Sequence, residues 1–582
     1  MTDKVEQALN AARPLGPRGS RSAVGDSGPA AELTPTAAAV LAAIPAWWSA
    51  RASSIGMTGD WLDVLLAVEA TPPITLGEHP PLEAEWGPLT AEQVGAAYVS
   101  SLDDGTRARH GRHYTPAELA SELWTMTKRS LALKQPLEQL PGLVRDPACG
   151  SGALLLPIVR EHLAASFDVD PQLVINRLPS LVEGIDTDPA AVWVANVVLA
   201  AEMLPTLLRI PENRRRRLPA LARVGDGLDP EHRPAHAVVM NPPYGRVRLS
   251  DADRERFAAT LYGHANLYGL FMAAALDSLD DKGVLSALVP TSFTAGRYFA
   301  PLRDALGSKG RLHEISFVAD RSGVFTSVLQ ETCLATITRR KIRKTTIQSI
   351  GSATTYVATV ATPTGSLPWI LPRRSDLAPV AAVAATLPLT LGAAGWRVST
   401  GPLVWNRRRD DLHRRKAAGR HLVVWAADVD GGQFHLDVAR SAMRYISLHS
   451  DRDRGLMLLR EPAVLVQRTT APEQVKRLVG VELTAEHLAV HGGGVVIENH
   501  VNVLRPTCDE PAVSRGLLAR LLDTDTLDSL ARCVSGSVAL SAYELESLPL
   551  PDKVTLASWE TLGVKELSAA VAEVYRHASL PG

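Results

Sequence analysis

Residues 241–244, Asn-Pro-Pro-Tyr, follow directly on the apolar run AVVM and are the part of the chain best suited to chemistry. Two consecutive prolines at a strand end remove two amide donors and stiffen the turn. Their rigid carbonyls and the Asn241 side chain form a compact set of acceptors, and an aromatic ring stands beside them. A planar base with an exocyclic NH2 needs acceptors for both amino hydrogens and a ring to stack on. Three turns precede this block. Asp146-Pro-Ala-Cys-Gly-Ser-Gly152 joins a short apolar run to a helical stretch, and its glycines allow a sharp turn and close approach to a ligand. It is not G-x-G-x-x-G, so a smaller anionic group is expected rather than a dinucleotide pyrophosphate. Gly184-Ile-Asp186-Thr-Asp188 closes the next apolar run. An acid there, at the end of a second strand, is placed to hold ribose hydroxyls, whereas Asp188 suits a helix cap. Gly225-Asp226-Gly-Leu228 then offers an acceptor for an adenine amino group.

The elements that must position these residues read as alternating strands and helices. From about 143 to 340, short apolar runs end in Gly- or Asp-rich turns and lead into helical stretches such as ALLLPIVREHL and AAVWVANVVLAAEML. This rhythm predicts βαβ units and a doubly wound, mostly parallel sheet, with the unusual residues at the carboxyl ends of strands. Upstream, residues 14–36 are rich in Pro, Gly and Ser and are expected to be flexible, while 37–70 read as helices with Trp47, Trp48 and Trp61 as packing residues. After about 370, extended pieces such as HLVVWAADV, AVLVQRTT and GGVVIENHVNVLRP alternate with charged loops, with helices from Ser514 onward. A second, α+β unit is expected there. No internal repeat is found.

Composition bounds the class. At 582 residues, 46% hydrophobic and 21% charged, the chain is globular, with room for three or four structural units at roughly 100–200 residues each. The net charge of −1 excludes a uniformly basic nucleic-acid coat protein but not local basic patches. Cys149, Cys333, Cys508 and Cys533 stand far apart without C-x-x-C, which argues against a disulfide framework or zinc ribbon and suits a reducing cytoplasm. No metal site is expected. The start, MTDKVEQALN, has no apolar signal core, and the uncharged stretch Leu377 to Gly395 is too weakly apolar for a membrane span, so a cytoplasmic protein is expected.

In their order, DPACGSG, GIDTDP, GDGLD and NPPYG resemble the motifs of the amino-methyltransferases that use S-adenosylmethionine. Upstream, His113-Tyr114-Thr115-Pro116 is similar to the cofactor motif of gamma-class (TaqI-type) DNA N6-adenine methyltransferases of restriction-modification systems. Asn266-Leu-Tyr-Gly269 and Val284-Leu-Ser-Ala-Leu-Val-Pro290 match later motifs of that class. The resemblance covers about 110–345. It implies a methyltransferase fold with a helical N-terminal extension (1–105), a catalytic domain (106–370) and a C-terminal α+β target-recognition domain (390–582).

It further implies that Tyr114, Thr115, Pro116, Asp146, Ala148 and Gly150 bind S-adenosylmethionine, Asp186 its ribose and Asp226 its adenine. Leu228 is expected to fill the wall that a bulky neighbour of the acid forms in the family, since Gly227 stands there instead. Asn241 and the carbonyl of Pro242, in the turn stiffened by Pro243, would accept hydrogen bonds from the target amino group, and Tyr244 would stack on a base flipped from the duplex. The implied reaction is direct transfer without a covalent enzyme nucleophile. No Pro-Cys pair of the cytosine-C5 type is present, and Cys149 reads as a packing residue.

Flipping needs backbone contacts of positive charge. Eight Lys/Arg against two Asp/Glu fall between Arg397 and Arg420, and Arg407, Arg408 and Arg409 are named as phosphate contacts. Arg214–Arg217 reads as a solvated face and Arg339–Lys344 as another basic cluster. Gln467, Arg468 and Asn502 are candidate base readers, and Trp369 a candidate stacking residue. The expected partners are double-stranded DNA and a separate cognate restriction endonuclease, with the chain a monomer. Residues 1–110 hold no Asp followed by Glu-x-Lys, so cleavage by this chain is not expected. The alternatives are a methyltransferase acting on RNA or protein glutamine, and a catalytically silent DNA-binding subunit.

Overall fold

A computed structural model describes residues 33–74, 86, 88–103, 114–318, 331–430, 433–437, 442–470, 475–534 and 539–576. His113 and most of the Pro/Gly/Ser-rich stretch lie outside them. The described chain begins two residues before a helix that Thr34 caps through its hydroxyl, inside the stretch expected to be flexible.

Nine strands form one sheet: Val144–Asp146 (β1), Val182–Asp186 (β2), Ala222–Val224 (β3), Ala235–Met240 (β4), Leu279–Pro290 (β5), Arg311–Val318 (β6), Thr332–Thr338 (β7), Lys344–Ile350 (β8) and Thr354–Ala361 (β9). Their order is β9-β8-β6-β7-β5-β4-β1-β2-β3. β1 to β5 run parallel, and β7 lies antiparallel to both β5 and β6. The expected mostly parallel sheet is therefore mixed in its far half. A short connection between β8 and β9 permits only an antiparallel pair. The chain builds outward from β1 to β3 and returns on the other side of β1 as β4, so the switch point lies between β1 and β4.

Side chains on β4 show why both faces are covered. Ala237 and Val239 join the core on one face, and Val238 and Met240 join the core on the other. This alternation follows from the two-residue strand period, and an apolar residue at every position from Ala237 to Met240 demands helices on both sides. The helices are Pro35–Ser54 (α1), Ala91–Ser101 (α2), Ala117–Leu131 (α3), Leu156–Ala165 (α4), Pro171–Leu181 (α5), Pro189–Leu208 (α6), Leu267–Asp277 (α7) and Ala300–Lys309 (α8). Among the described residues α6 alone has the length and mean hydropathy to cross a membrane, but 78% of that window is buried in the protein. It is a core helix, apolar all round because it is enclosed.

The N-terminal helices pack into the same core. Trp47 and Trp48 are fully buried, and their indole N–H groups donate to the carbonyls of Leu89 and Trp61. The helix expected over 60–70 is broken at Asp63, whose carboxylate accepts from the amide of Leu65 and starts a new short helix, Val64–Ala67. On α4, Arg160 bridges Glu92 of α2 and Glu202 of α6.

C-terminal to β9 stand a four-stranded antiparallel sheet built around Val501–Pro506 and Ala463–Gln467, and a five-stranded mixed sheet around Arg420–Val424. Helices Arg515–Leu522, Asp525–Val534 and Val564–Val574 follow. Leu377 to Gly395 holds the short helix Ala378–Ala384 and a strand, Leu389–Thr390, paired with Pro549–Leu550.

Replacing Arg160 by Met leaves Glu92 and Glu202 facing each other across the α2–α6 packing. The expected loss is about 1–2 kcal/mol, limited by the solvent that reaches the guanidinium. It is measured as a lower thermal midpoint, with earlier proteolytic cleavage before residue 114.

Candidate active site

The site is built on the carboxyl ends of β1, β2 and β4. Register pairs Arg145 with Val238, so Asp146 ends β1 level with Val239, and Asn241 lies two residues beyond along β4. At roughly 3.3 Å per residue the two side chains project about 7 Å apart along neighbouring strands.

Asp146 is 1% exposed and accepts from the amide of Ala148 at 3.1 Å. Burial, reinforced by the charge of Asp186, pushes its carboxyl up to about 8. The turn that follows uses left-handed backbone at Gly150 (φ 49°) and Gly152 (φ 87°), and a side chain on Gly152 would meet Ala195 of α6. Cys149 is buried, its amide on the carbonyl of Ile185 and its sulfur packed over Gly184. Asp186 accepts from the amides of Gly150 and Asp188, both at 2.9 Å, tying the glycine turn to β2 and to the start of α6. Asp188 caps α6 and accepts from the Tyr98 hydroxyl of α2 at 2.7 Å.

At the end of β4 the Asn241 amide is held at both ends. Its Nδ2 donates to Thr115 Oγ1 at 3.0 Å, and its Oδ1 accepts from the Tyr244 hydroxyl at 3.0 Å. The same hydroxyl lies 3.1 Å from the carbonyl of Leu288, so its single proton is shared between the two oxygens. Both partners of the amide are hydroxyls, each able to donate or to accept. The Tyr244 ring meets Tyr268 edge-on, and Tyr268 stacks on Phe299 at 4.9 Å. Burial holds the Tyr244 phenol well above its usual range. Pro242 is buried and Pro243 partly so; Pro116 stands as the N-cap residue of α3.

The third acid is placed differently. Asp226 is exposed, accepts from the amide of Leu228, and its own carbonyl meets His232. Leu228 is buried in the core on the α7 side. A Cβ on Gly227 would lie 1.8 Å from the carbonyl oxygen of Pro147, so no larger residue fits where the chain passes the β1 turn.

The fit to a cationic nucleoside-bearing cofactor is good on three counts. Asp146 is a buried carboxylate without a basic partner among its described bonds. The buried Tyr114 hydroxyl has no hydrogen-bond partner among the described residues. Around Gly150 an added Cβ would meet nothing within 4 Å. No cluster of metal-ligating side chains is found among the described residues.

Sequence reasoning missed the cover over this turn. Ser151 donates to the carbonyl of Gly95 on α2, and any side chain on Gly95 would press on Ser151 and Tyr114. A glycine in mid-helix was the available signal.

Four of the named DNA-contact residues have their side chains engaged within the protein. Trp369 is 3% exposed, its amide on Thr294 and its ring against Phe293, a core residue. Asn502 is fully buried in the four-stranded sheet and donates to the carbonyl of Leu540. Gln467 gives its amide hydrogens to the carbonyls of Ala426 and Val429. Arg408 is held by Asp411 and Asp453. Arg407 and Arg409 are exposed, while Arg468 is partly buried and donates to the carbonyl of Asn499.

With this geometry in place, comparison with known proteins identifies the class. The family described as Eco57I restriction-modification methylase matches residues 231–325, the stretch from β4 through β6. The chain is similar to Type II methyltransferase M.PstI of Providencia stuartii, 23% identical over 339 residues, covering 55% of this chain and 65% of that protein. It is similar also to Type II methyltransferase M.BsuBI of Bacillus subtilis, 22% identical over 360 residues, covering 58% and 71%. The match thus spans about two thirds of the length of these relatives. Among solved structures, the Type IIL restriction-modification enzyme MmeI in complex with DNA superposes with a TM-score of 0.50 at 13% identity, over 94% of this chain and 97% of that one. The chain has the α/β methyltransferase fold and is similar in sequence to restriction-modification methyltransferases.

Asp146 makes the ligand-free stability depend on pH. Its carboxyl is raised to about 8 from 3.8, so the folded state holds the proton more tightly and loses stability as pH climbs between those values. Relative to wild type, Asp146→Asn is expected to gain stability from about pH 4 to about pH 8 and stay level above. Thermal midpoints of both proteins across that range test this.

Proposed function

We propose that the chain is a site-specific DNA adenine-N6 methyltransferase that uses S-adenosylmethionine and acts on a base flipped out of the duplex. The observation carrying this reading is the Asn241 amide, oriented by Thr115 and Tyr244 at the end of β4. S-adenosylmethionine supplies an electrophilic methyl group on a sulfonium. Tyr114, Thr115, Pro116, Asp146, Ala148 and Gly150 hold its amino-acid end, Asp186 its ribose, and Asp226 with Leu228 its adenine.

The chemistry asked of the chain is to make a poor nucleophile available. The adenine N6 lone pair is delocalised into the ring. Asn241 Oδ1 and the Pro242 carbonyl accept both N–H bonds of the target. This draws the nitrogen toward tetrahedral geometry and frees its lone pair. Positioning and fixed dipoles supply the rate. The Tyr244 ring stacks on the base while its hydroxyl orients Asn241.

The likeness to proteins named Type II methyltransferases supports double-stranded DNA as substrate and a role in protecting it from a separate cognate endonuclease. A monomer in the cytoplasm fits this role.

The test is to express the chain in a methylation-free bacterial host and read its DNA by modification-sensitive single-molecule sequencing. N6-methyladenine in one sequence context, lost with Asn241→Ala, is the expected result. Tyr244→Phe keeps the ring and loses the bond to Asn241, so its kcat is expected to fall roughly tenfold, and Tyr244→Ala further. N4-methylcytosine instead would overturn the adenine assignment. Unmodified DNA from a folded, cofactor-binding protein would move the substrate to RNA or protein glutamine, or leave a silent DNA-binding subunit.

A further inference from the structure

Two exposed tyrosines, on the segments that follow β4 and β5, have no role in the reading above, on which this inference rests. Tyr262 is 44% exposed and Tyr298 is 49% exposed, with ring centroids 6.2 Å apart. The Arg297 guanidinium lies 5.2 Å over the Tyr262 ring, and His264 lies 6.4 Å from Tyr298. Together they form an exposed patch of aromatic rings with a guanidinium over one of them.

Their place in the fold ties them to the catalytic block. Arg246–Val247 pairs antiparallel with Ala265–Asn266, and Leu267 donates to the carbonyl of Gly245. That short stem begins two residues after Tyr244, and Tyr262 and His264 lie just before its second strand. The second tyrosine comes from the loop after β5, the neighbour of β4 in the sheet. Within that loop Phe299 points inward and stacks on Tyr268, which meets Tyr244 edge-on, whereas Tyr298 turns outward. Gly263 adopts φ 71°, and an added Cβ would lie 3.2 Å from Tyr298 Cε1, so the loop passes closely under the ring. Arg246, Arg248 and Arg297 are all exposed around it.

We propose that Tyr262, Tyr298 and Arg297 form a stacking platform for a DNA base adjacent to the extruded one, holding the strand at the site mouth. Aromatic faces accept any base, and the arginines offer cation–π contact and phosphate charge. The platform is a binding element and takes no part in methyl transfer.

The test compares wild type, the Tyr262→Ala/Tyr298→Ala pair and the Tyr262→Phe/Tyr298→Phe pair as full chains. Methyl transfer to unmethylated plasmid DNA gives KM and kcat, and anisotropy of a short fluorescein-labelled duplex of mixed sequence gives DNA affinity. The alanine pair is expected to raise KM for DNA and the duplex Kd by about five- to hundredfold, the loss of one stacked base. Its S-adenosylmethionine affinity and thermal midpoint stay unchanged. The phenylalanine pair, which keeps the ring faces, restores both values.

An alanine pair indistinguishable from wild type overturns the platform, as does a phenylalanine pair as defective as alanine. A wild-type chain that binds DNA without methylating it overturns the methylation reading alone, and the duplex affinities then decide the platform. A wild-type chain that neither binds nor methylates DNA overturns both.

Discussion

Asp186 accepts hydrogen bonds from the backbone amides of Gly150 and Asp188, and this pair of bonds holds the glycine turn against the amino end of α6. Without it the turn after β1 would be a loop of small residues with several shapes. With it, the left-handed glycines, the buried Asp146 carboxylate and the cap of α6 become one rigid corner at the switch point of the sheet. A second, partly buried amide-based corner, Asn241 between Thr115 and Tyr244, stands on the next strand. The proposed chemistry depends on the spacing of these two corners, and the parallel register of β1 and β4 sets that spacing.

The N-terminal helices belong to this arrangement. α2 lies over the glycine turn through Ser151 and Gly95, reaches Asp188 through Tyr98, and is tied to α4 and α6 through Arg160. Thr115, which reaches Asn241, stands two residues before α3, whose Leu119 and Leu123 share one core with Val94 and Tyr98 of α2.

A comparable joint links the sheet to the C-terminal part. Arg303 on α8 is fully buried and gives its guanidinium to the carbonyls of Phe293, Gly296, Ser366 and Leu367 and to the Tyr543 hydroxyl. Burial pulls its pKa down, and the dense set of oxygens is what allows the charge to remain inside. The loop after β5, which carries Tyr298 and Phe299, is thereby fastened to the region from which DNA contacts are expected.

Local sequence determined much of this. Asn-Pro-Pro-Tyr, the glycine turn and the acids at strand ends declare themselves because proline, glycine and carboxylate impose conformation within a few residues. Alternating apolar runs likewise announce the strands and helices, since their periods are local. What only the tertiary structure decided concerns partners distant in the chain. Arg408 reads as a free cation until Asp453 lies beside it, Asn502 as a base reader until Leu540 closes over it, and Trp369 as a stacking ring until Phe293 packs on it. Thr115 becomes the anchor of Asn241 only across 126 residues, and Gly227 must be glycine only because the Pro147 carbonyl passes there. A residue type states which bonds a side chain can make, and folding decides which of them are already taken.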